Sequence, residues 1–270
     1  MANSHSLAFI GCGNMGGAIL RGVLNAGEIS PTEILVVERS PERRQEWSAL
    51  GVDTTDRIAD IREVPNILLA VKPQDFPPVA ADLAPLPEST LLISVMAGLS
   101  SAAIRQAIGS EMRVVRAMPN TPCQIGAGIT AIAPGLGATK EDLRFANELL
   151  STVGAVVHVE EEHMHAVTAT SGSGPAYAFL LAEAWLLAAI KQGLDPEVAR
   201  QLVHATLAGA AALLAENPDA EALRKAVTSK GGTTAAGINE LEEHGFREAM
   251  EKAVAAATKR GHELDSEVPS

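Results

Sequence analysis

Two glycine-rich turns carry the residues whose types and spacing could do chemistry. The first, Gly11-Cys12-Gly13-Asn14-Met15-Gly16, follows the apolar run Leu7-Ala8-Phe9-Ile10 and opens onto Gly17-Ala18-Ile19-Leu20. Glycines so spaced between a strand and a helix allow a tight turn, let the backbone approach a pyrophosphate, and rest its charge on a helix N-terminus. A second strand at Ile34-Leu35-Val36-Val37 completes a βαβ unit, so a dinucleotide is the expected ligand. The second turn, Val227-Thr228-Ser229-Lys230-Gly231-Gly232-Thr233-Thr234, gathers hydroxyls and backbone N–H groups at a helix start, a seat for a carboxylate. A simple helix–helix turn capped by Thr or Ser fits the same spacing.

The residues after the second strand bear on the choice of cofactor. An acid there accepts from a ribose 2′-hydroxyl, whereas arginine accommodates a 2′-phosphate. Glu38 argues for NAD, while the cluster Arg39, Ser40 and Arg43 argues for phosphate. NADP is favoured, and NAD stays open. Two further apolar strands, Asn66 to Val71 ending at Lys72-Pro73 and Leu91 to Gly98, should turn their C-terminal ends toward the same crevice.

Other chemistries find less support. The 21 basic residues against 33 acidic ones give a net charge of −12, which argues against a nucleic-acid surface and for a soluble, cytoplasmic protein. The N-terminus shows no export signal, and the only cysteines, Cys12 and Cys123, lack metal spacing. His163 and His165 follow three glutamates, but residues two apart on a helix point to different faces, so no metal is expected.

The elements that must position these turns fall into two halves. A chain of 270 residues with 47% hydrophobic content should hold about two domains. Strand and helix alternate through Arg113 to Met118, Ile129 to Ala133, the helix Lys140 to Leu150, and Ala155 to Val159, after which no strand is evident. The fold class is therefore α/β: a Rossmann-like doubly wound sheet over 1–162, then an all-α domain over 163–270. The run from Ala166 to Ile190 is apolar on most faces except at Glu183, and should be buried all round as a central helix of an oligomer. Its apolar part, Ala176 to Ile190, is shorter than the roughly 20 residues a bilayer needs, so no membrane span is expected.

Taken together, the chain resembles the pyrroline-5-carboxylate reductase family over nearly its whole length. The likeness rests on Ile10 to Gly16, Ala70-Val71-Lys72-Pro73, Arg116 to Pro122, Ala166-Val167-Thr168 with Ser171 to Tyr177, and Val227-Thr228-Ser229 with Gly231 to Thr234. The resemblance implies NAD(P)H-dependent reduction of 1-pyrroline-5-carboxylate to L-proline, the last step of proline biosynthesis, and a helical domain that forms a homodimer. Members often assemble further into rings of dimers. It places cofactor contacts on Ile10, Gly11, Cys12, Gly13, Asn14 and Met15, on Ser40, on Ala70, Val71, Lys72 and Pro73, and on Val95, Met96 and Ala97. Arg39 joins them from its chemistry. The substrate carboxylate would meet the backbone of Gly232 and Thr233 and the hydroxyl of Ser229, and Thr234 would hydrogen-bond the ring nitrogen. Ser229 and Thr234 are thus the expected catalytic pair. Three positions depart from the family pattern: Lys230 stands where proline is frequent, His165 where aspartate is, and Arg57 where an asparagine commonly touches the cofactor ribose. Arg57 could help hold a 2′-phosphate. A β-hydroxyacid dehydrogenase, which has a similar layout, needs a lysine early in its central helix, and none occurs between Lys140 and Lys191.

Overall fold

The computed structural model describes residues 5–266. They form two compact units, Gly174–Val254 on one hand and the remaining described residues on the other, the latter including the last helix from Ala255 onward. The first unit is built on eight strands: β1 (Leu7–Ile10), β2 (Ile34–Val37), β3 (Asp53–Thr55), β4 (Asn66–Leu69), β5 (Leu91–Ser94), β6 (Arg113–Met118), β7 (Gly128–Pro134) and β8 (Gly154–His158). They lie in the order β3-β2-β1-β4-β5-β6-β7-β8. All pairings are parallel except β6 with β7. A short 3-10 turn, Thr121–Ile125, joins those two strands where a crossover helix would be needed for a parallel pair.

Helices cover both faces. Successive strand residues point to opposite sides, so Leu7 and Phe9 feed one core layer and Ala8 and Ile10 the other. The first layer is closed by Leu20 and Val23 of α1 (Asn14–Ala26), Trp47 of α2 (Pro41–Ser48), and Leu149 and Leu150 of α5 (Lys140–Ser151). The second is closed by Phe76 and Leu83 of α3 (Phe76–Leu83) and by Ile104 and Ile108 of α4 (Ser101–Ile108). Then come α6 (Met164–Val167), a π-turn over Thr168–Gly172, α7 (Gly174–Lys191), α8 (Pro196–Glu216), α9 (Ala220–Ala226), α10 (Thr233–Glu243) and α11 (Phe246–Ser266). In the second unit α7 packs along α8.

The expected set of strands and the length argument against a membrane span need correction. The polar edge strand β3 carries no apolar alternation and was not expected. The third and fourth expected strands end earlier, at Leu69 and Ser94: Ala70 and Val95 each make one last hydrogen bond into the sheet, and Val71 and Met96 to Gly98 turn away as loops. α6 packs on β7, and the compact unit built on the sheet runs on to Ser173. Within one chain α7 is exposed, which leaves the burial expected of a central oligomer helix to contacts outside that chain. None of its residues is buried within one chain, and Phe179 and Leu180 are 68% and 65% exposed. The helical run is also longer than the apolar segment suggested. It is continuous over Glu161–Lys191, and with Pro196–Glu216 it is long and apolar enough to cross a membrane by length and composition alone. The length argument against a span therefore falls away.

Candidate functional site: a dinucleotide loop and a hydroxyl turn

The loop after β1 has the shape its glycines require. Gly11 sits at φ +86°, and a Cβ there would stand 2.9 Å from the Ala70 carbonyl oxygen. A Cβ on Gly16 would lie only 2.1 Å from the Gly11 carbonyl oxygen, so α1 can pack this close only without a side chain. Gly13 differs. A Cβ there would come only within 4.0 Å of the Arg43 guanidinium and would otherwise enter open space. Gly13 also caps α1 without a side-chain hydrogen bond, and the first turn of α1 carries no acid. Among the described residues, the amides of Asn14, Met15 and Gly16 have no backbone acceptor. A bare glycine beside free amides at a helix N-terminus is the surface a pyrophosphate fits.

A cavity of about 560 Å³ opens beside this loop, lined among others by Ile10, Glu38, Arg39, Arg43, Arg57 and Val71. Glu38 does not present a free carboxylate to it. Its Oε1 accepts from the Ser40 amide at 3.1 Å, Oε2 lies 3.9 Å from Arg43, and only 13% of the side chain is exposed. Ser40 caps α2: its hydroxyl accepts from the Arg43 amide at 3.3 Å and donates to Glu42 at 2.6 Å. Arg39 and Arg57 are exposed at the rim, and Arg57 lies 3.6 Å from Asp60. The guanidinium groups gathered at this cavity favour a phosphate over a ribose hydroxyl.

A smaller recess of about 350 Å³ adjoins Cys12, Gly13 and Asn14, and is walled by Arg21 stacked 4.8 Å over the Trp47 ring. Burial pushes the Cys12 thiol well above its ordinary range, with the Glu38 charge adding to the effect. Cys12 is therefore a protonated packing residue and no nucleophile. Of the remaining expected cofactor residues, Ala70 and Val71 wall the loop, exposed Lys72 caps the turn Pro73–Asp75, and Val95, Met96 and Ala97 follow β5 with the Val95 amide tied to the Leu69 carbonyl at 3.0 Å.

In the second unit, the turn before α10 gathers Ser229 and the threonines. Gly231 takes φ +74°, and a Cβ on Gly232 would meet the Ser229 hydroxyl at 2.5 Å, so that hydroxyl overhangs the start of α10. The N-cap is Gly232, with no side-chain hydrogen bond. A helix capped by Ser or Thr is thus not what forms. The Gly232 amide is spent inside the turn on the Ser229 carbonyl at 3.0 Å, whereas the amides of Thr233 and Thr234 have no backbone acceptor among the described residues. Of the two amides expected to meet a carboxylate, that of Thr233 is the available one. Lys230, Thr233 and Thr234 are exposed. No group of three or more His, Cys, Asp or Glu placed to hold a metal ion occurs among the described residues.

Comparison with known proteins matches both halves of this arrangement. Residues 6–98 fit a family described as NADP oxidoreductase coenzyme F420-dependent, and residues 161–264 fit one described as pyrroline-5-carboxylate reductase dimerisation. The pyrroline-5-carboxylate reductase of Mycobacterium tuberculosis is 39% identical, covering 96% of each chain. The chain belongs to the pyrroline-5-carboxylate reductase family. The Thermus thermophilus reductase is 40% identical over 96% of this chain and 98% of its own. The Plasmodium falciparum pyrroline carboxylate reductase, solved with NADP bound, superposes with a TM-score of 0.85 at 29% identity, covering 97% of this chain and 99% of that one.

Of the three departures from the reductase pattern, Lys230 points to solvent, Arg57 lies at the cavity rim, and His165 is buried with its ring 4.3 Å from that of His262. Sequence reasoning missed Arg62, which lines the same cavity and donates to the Asp82 carbonyl at 2.8 Å. It also missed the charges around Arg116, a residue only 3% exposed and 3.7 Å from Glu161. Strand alternation marks Arg116 as inward, but its partners come from elements far along the chain.

Proposed function

We infer that this chain reduces 1-pyrroline-5-carboxylate to L-proline with NADPH. The observation that carries the reading is the pairing, in one chain of a reductase family, of an uncapped pyrophosphate loop with an uncapped hydroxyl turn. A nicotinamide cofactor held by Gly11 to Gly16 and the rim arginines would supply the hydride that reduction of the imine carbon requires. The protein's part is to hold and orient. Ser229 and the Thr233 amide, with Gly232 giving close approach, receive the carboxylate. The Thr234 hydroxyl hydrogen-bonds the ring nitrogen and keeps a proton there, which makes the imine carbon a better hydride acceptor.

The cofactor residues are Ile10 to Met15, Arg39, Ser40, Arg57, Ala70 to Pro73 and Val95 to Ala97, and the arginines at the cavity rim support NADP over NAD. The exposed apolar residues of α7 and α8 are the surface for a second copy of the chain, as a homodimer able to assemble further into a ring, and not for a bilayer. The enzyme works in the cytoplasm, with 1–162 as its nucleotide half and 163–270 as its substrate and dimerisation half. The test is steady-state turnover with NADPH and NADH side by side, joined to light scattering. Oxidation of either cofactor that ignores added pyrroline-5-carboxylate would point instead to a nucleotide sensor. A monomer at micromolar concentration would remove the homodimer.

A further inference from the structure

The loop after β5 is held from a distance. Its first amides are tied locally, Val95 to the Leu69 carbonyl at 3.0 Å and Met96 to the Ser94 hydroxyl at 3.3 Å. Its far end is tied by two carboxylates from elsewhere in the chain. The Ser100 amide donates to Asp265 Oδ1 at 2.7 Å, and the Ser101 amide donates to Glu161 Oε1 at 2.7 Å while the Ser101 hydroxyl reaches Oε2 at the same distance. In the middle of the loop, Gly98 has φ +73°, and a Cβ there would stand 2.9 Å from Cβ of Leu264. The end of α11 therefore lies directly on this loop through two successive residues, Leu264 and Asp265.

Local capping does not require this arrangement. Ser100 already caps α4 with its own hydroxyl, which accepts from the Ala103 amide at 3.2 Å. What the distant carboxylates add is a fixed place for the loop relative to β6 and α11. Buried Arg116 on β6 stands 3.7 Å from Glu161, and the Asp265 charge also acts on it. His165 Nε2 lies 3.9 Å from Asp265 Oδ2, and a Cβ on Gly261 would come within 2.9 Å of His165 Nδ1, so α11 can be seated this deeply only through a glycine. Charge-assisted hydrogen bonds of this kind are short and directional, which suits them to fixing a backbone segment.

We propose that Asp265, seconded by Leu264, is a positioning residue: it holds the loop Val95 to Ala97 in the shape that receives the cofactor. This rests on the reading of that loop as a cofactor contact. The experiment measures KM for NADPH, KM for pyrroline-5-carboxylate and kcat in Asp265→Ala, Asp265→Asn, Leu264→Ala and Ala97→Leu, each checked for folding by its melting curve. Asp265→Ala raises KM for NADPH about tenfold, equivalent to ~1.4 kcal/mol, with kcat and KM for the imine within about twofold. Asp265→Asn keeps an acceptor for Ser100 and recovers most of the loss. Leu264→Ala gives a smaller rise of the same kind, and it decides the matter where Asp265→Ala fails to fold. A fall in kcat at unchanged KM in both Asp265→Ala and Leu264→Ala would mean a merely structural role and overturn the proposal. Ala97→Leu separates the two layers of the argument. If it raises KM for NADPH while the Asp265 and Leu264 variants do not, the positioning idea alone fails; if it leaves KM unchanged, the cofactor reading of the loop fails and the proposal with it.

Discussion

The Glu38 carboxylate accepts a hydrogen bond from the Ser40 amide at 3.1 Å, and so the acid that would mark an NAD enzyme is turned back onto its own chain. The groups left to meet an adenosine ribose are the arginines at the rim of the cavity. Arg57→Asn is expected to lower kcat/KM for NADPH about five- to tenfold, the worth of one charge-assisted contact, and to leave the value for NADH within about twofold. Equal losses with both cofactors would place Arg57 outside the phosphate site.

Gly13 and Gly16 should respond differently to alanine. At Gly16 the new methyl meets a carbonyl oxygen, so α1 must shift, and the expected cost is on the order of 1–3 kcal/mol in stability along with cofactor binding. At Gly13 the methyl enters open space, so the melting temperature holds while the affinity for NADPH falls about tenfold or more. Calorimetry with and without NADPH distinguishes the two, and normal binding by Gly13→Ala would contradict the assignment of the loop.

Thr234→Ala is expected to cut kcat about a hundredfold, within the range of general acid–base help, while NADPH binding measured by fluorescence stays the same. Ser229→Ala should mainly raise KM for the imine acid. Unchanged turnover in Thr234→Ala would remove that residue from the chemistry.

Stability should fall on mild acidification. His165 is held below the ordinary histidine value of 6.5, by burial first and then by His262 and Arg116, while Asp265 works in the opposite sense. The unfolded chain therefore takes up a proton that the folded chain refuses. Stability is lost as the pH drops below about 6.5, and the loss continues until the folded-state value is reached, at up to ~1.4 kcal/mol per pH unit. Melting curves from pH 7 to pH 5 should be visibly flatter for His165→Asn, and identical slopes would show that another group controls the acid limb.

How much of this was legible beforehand depends on the range of the interaction. β1 and β2 were readable to the residue, because a buried parallel sheet needs unbroken apolar runs and each run stops at a turn signal; β6 was readable to the same bounds despite Arg113 and Arg116, because Pro119-Asn120 ends it. The glycine loop was readable because its geometry is local. The Glu38 carboxylate was misleading: its type and place suggested a ribose, and only the path of the chain at Ser40 shows it occupied. Arg116, Glu161 and Asp265 were out of reach, since nothing in a linear pattern joins residue 116 to residue 265. α7 was legible as an apolar helix that wants burial, and within one chain none of its residues is buried, because the pattern records the need for burial and not which chain supplies it.

The most direct test follows the transferred atom itself. NADPH carrying deuterium at both C4 positions of the nicotinamide is incubated with the enzyme and pyrroline-5-carboxylate, and the product is read by mass spectrometry and NMR. The account predicts L-proline labelled at the former imine carbon, in amount equal to the NADPH consumed. NADPH consumed without label in proline, or no consumption that depends on the imine, would contradict it.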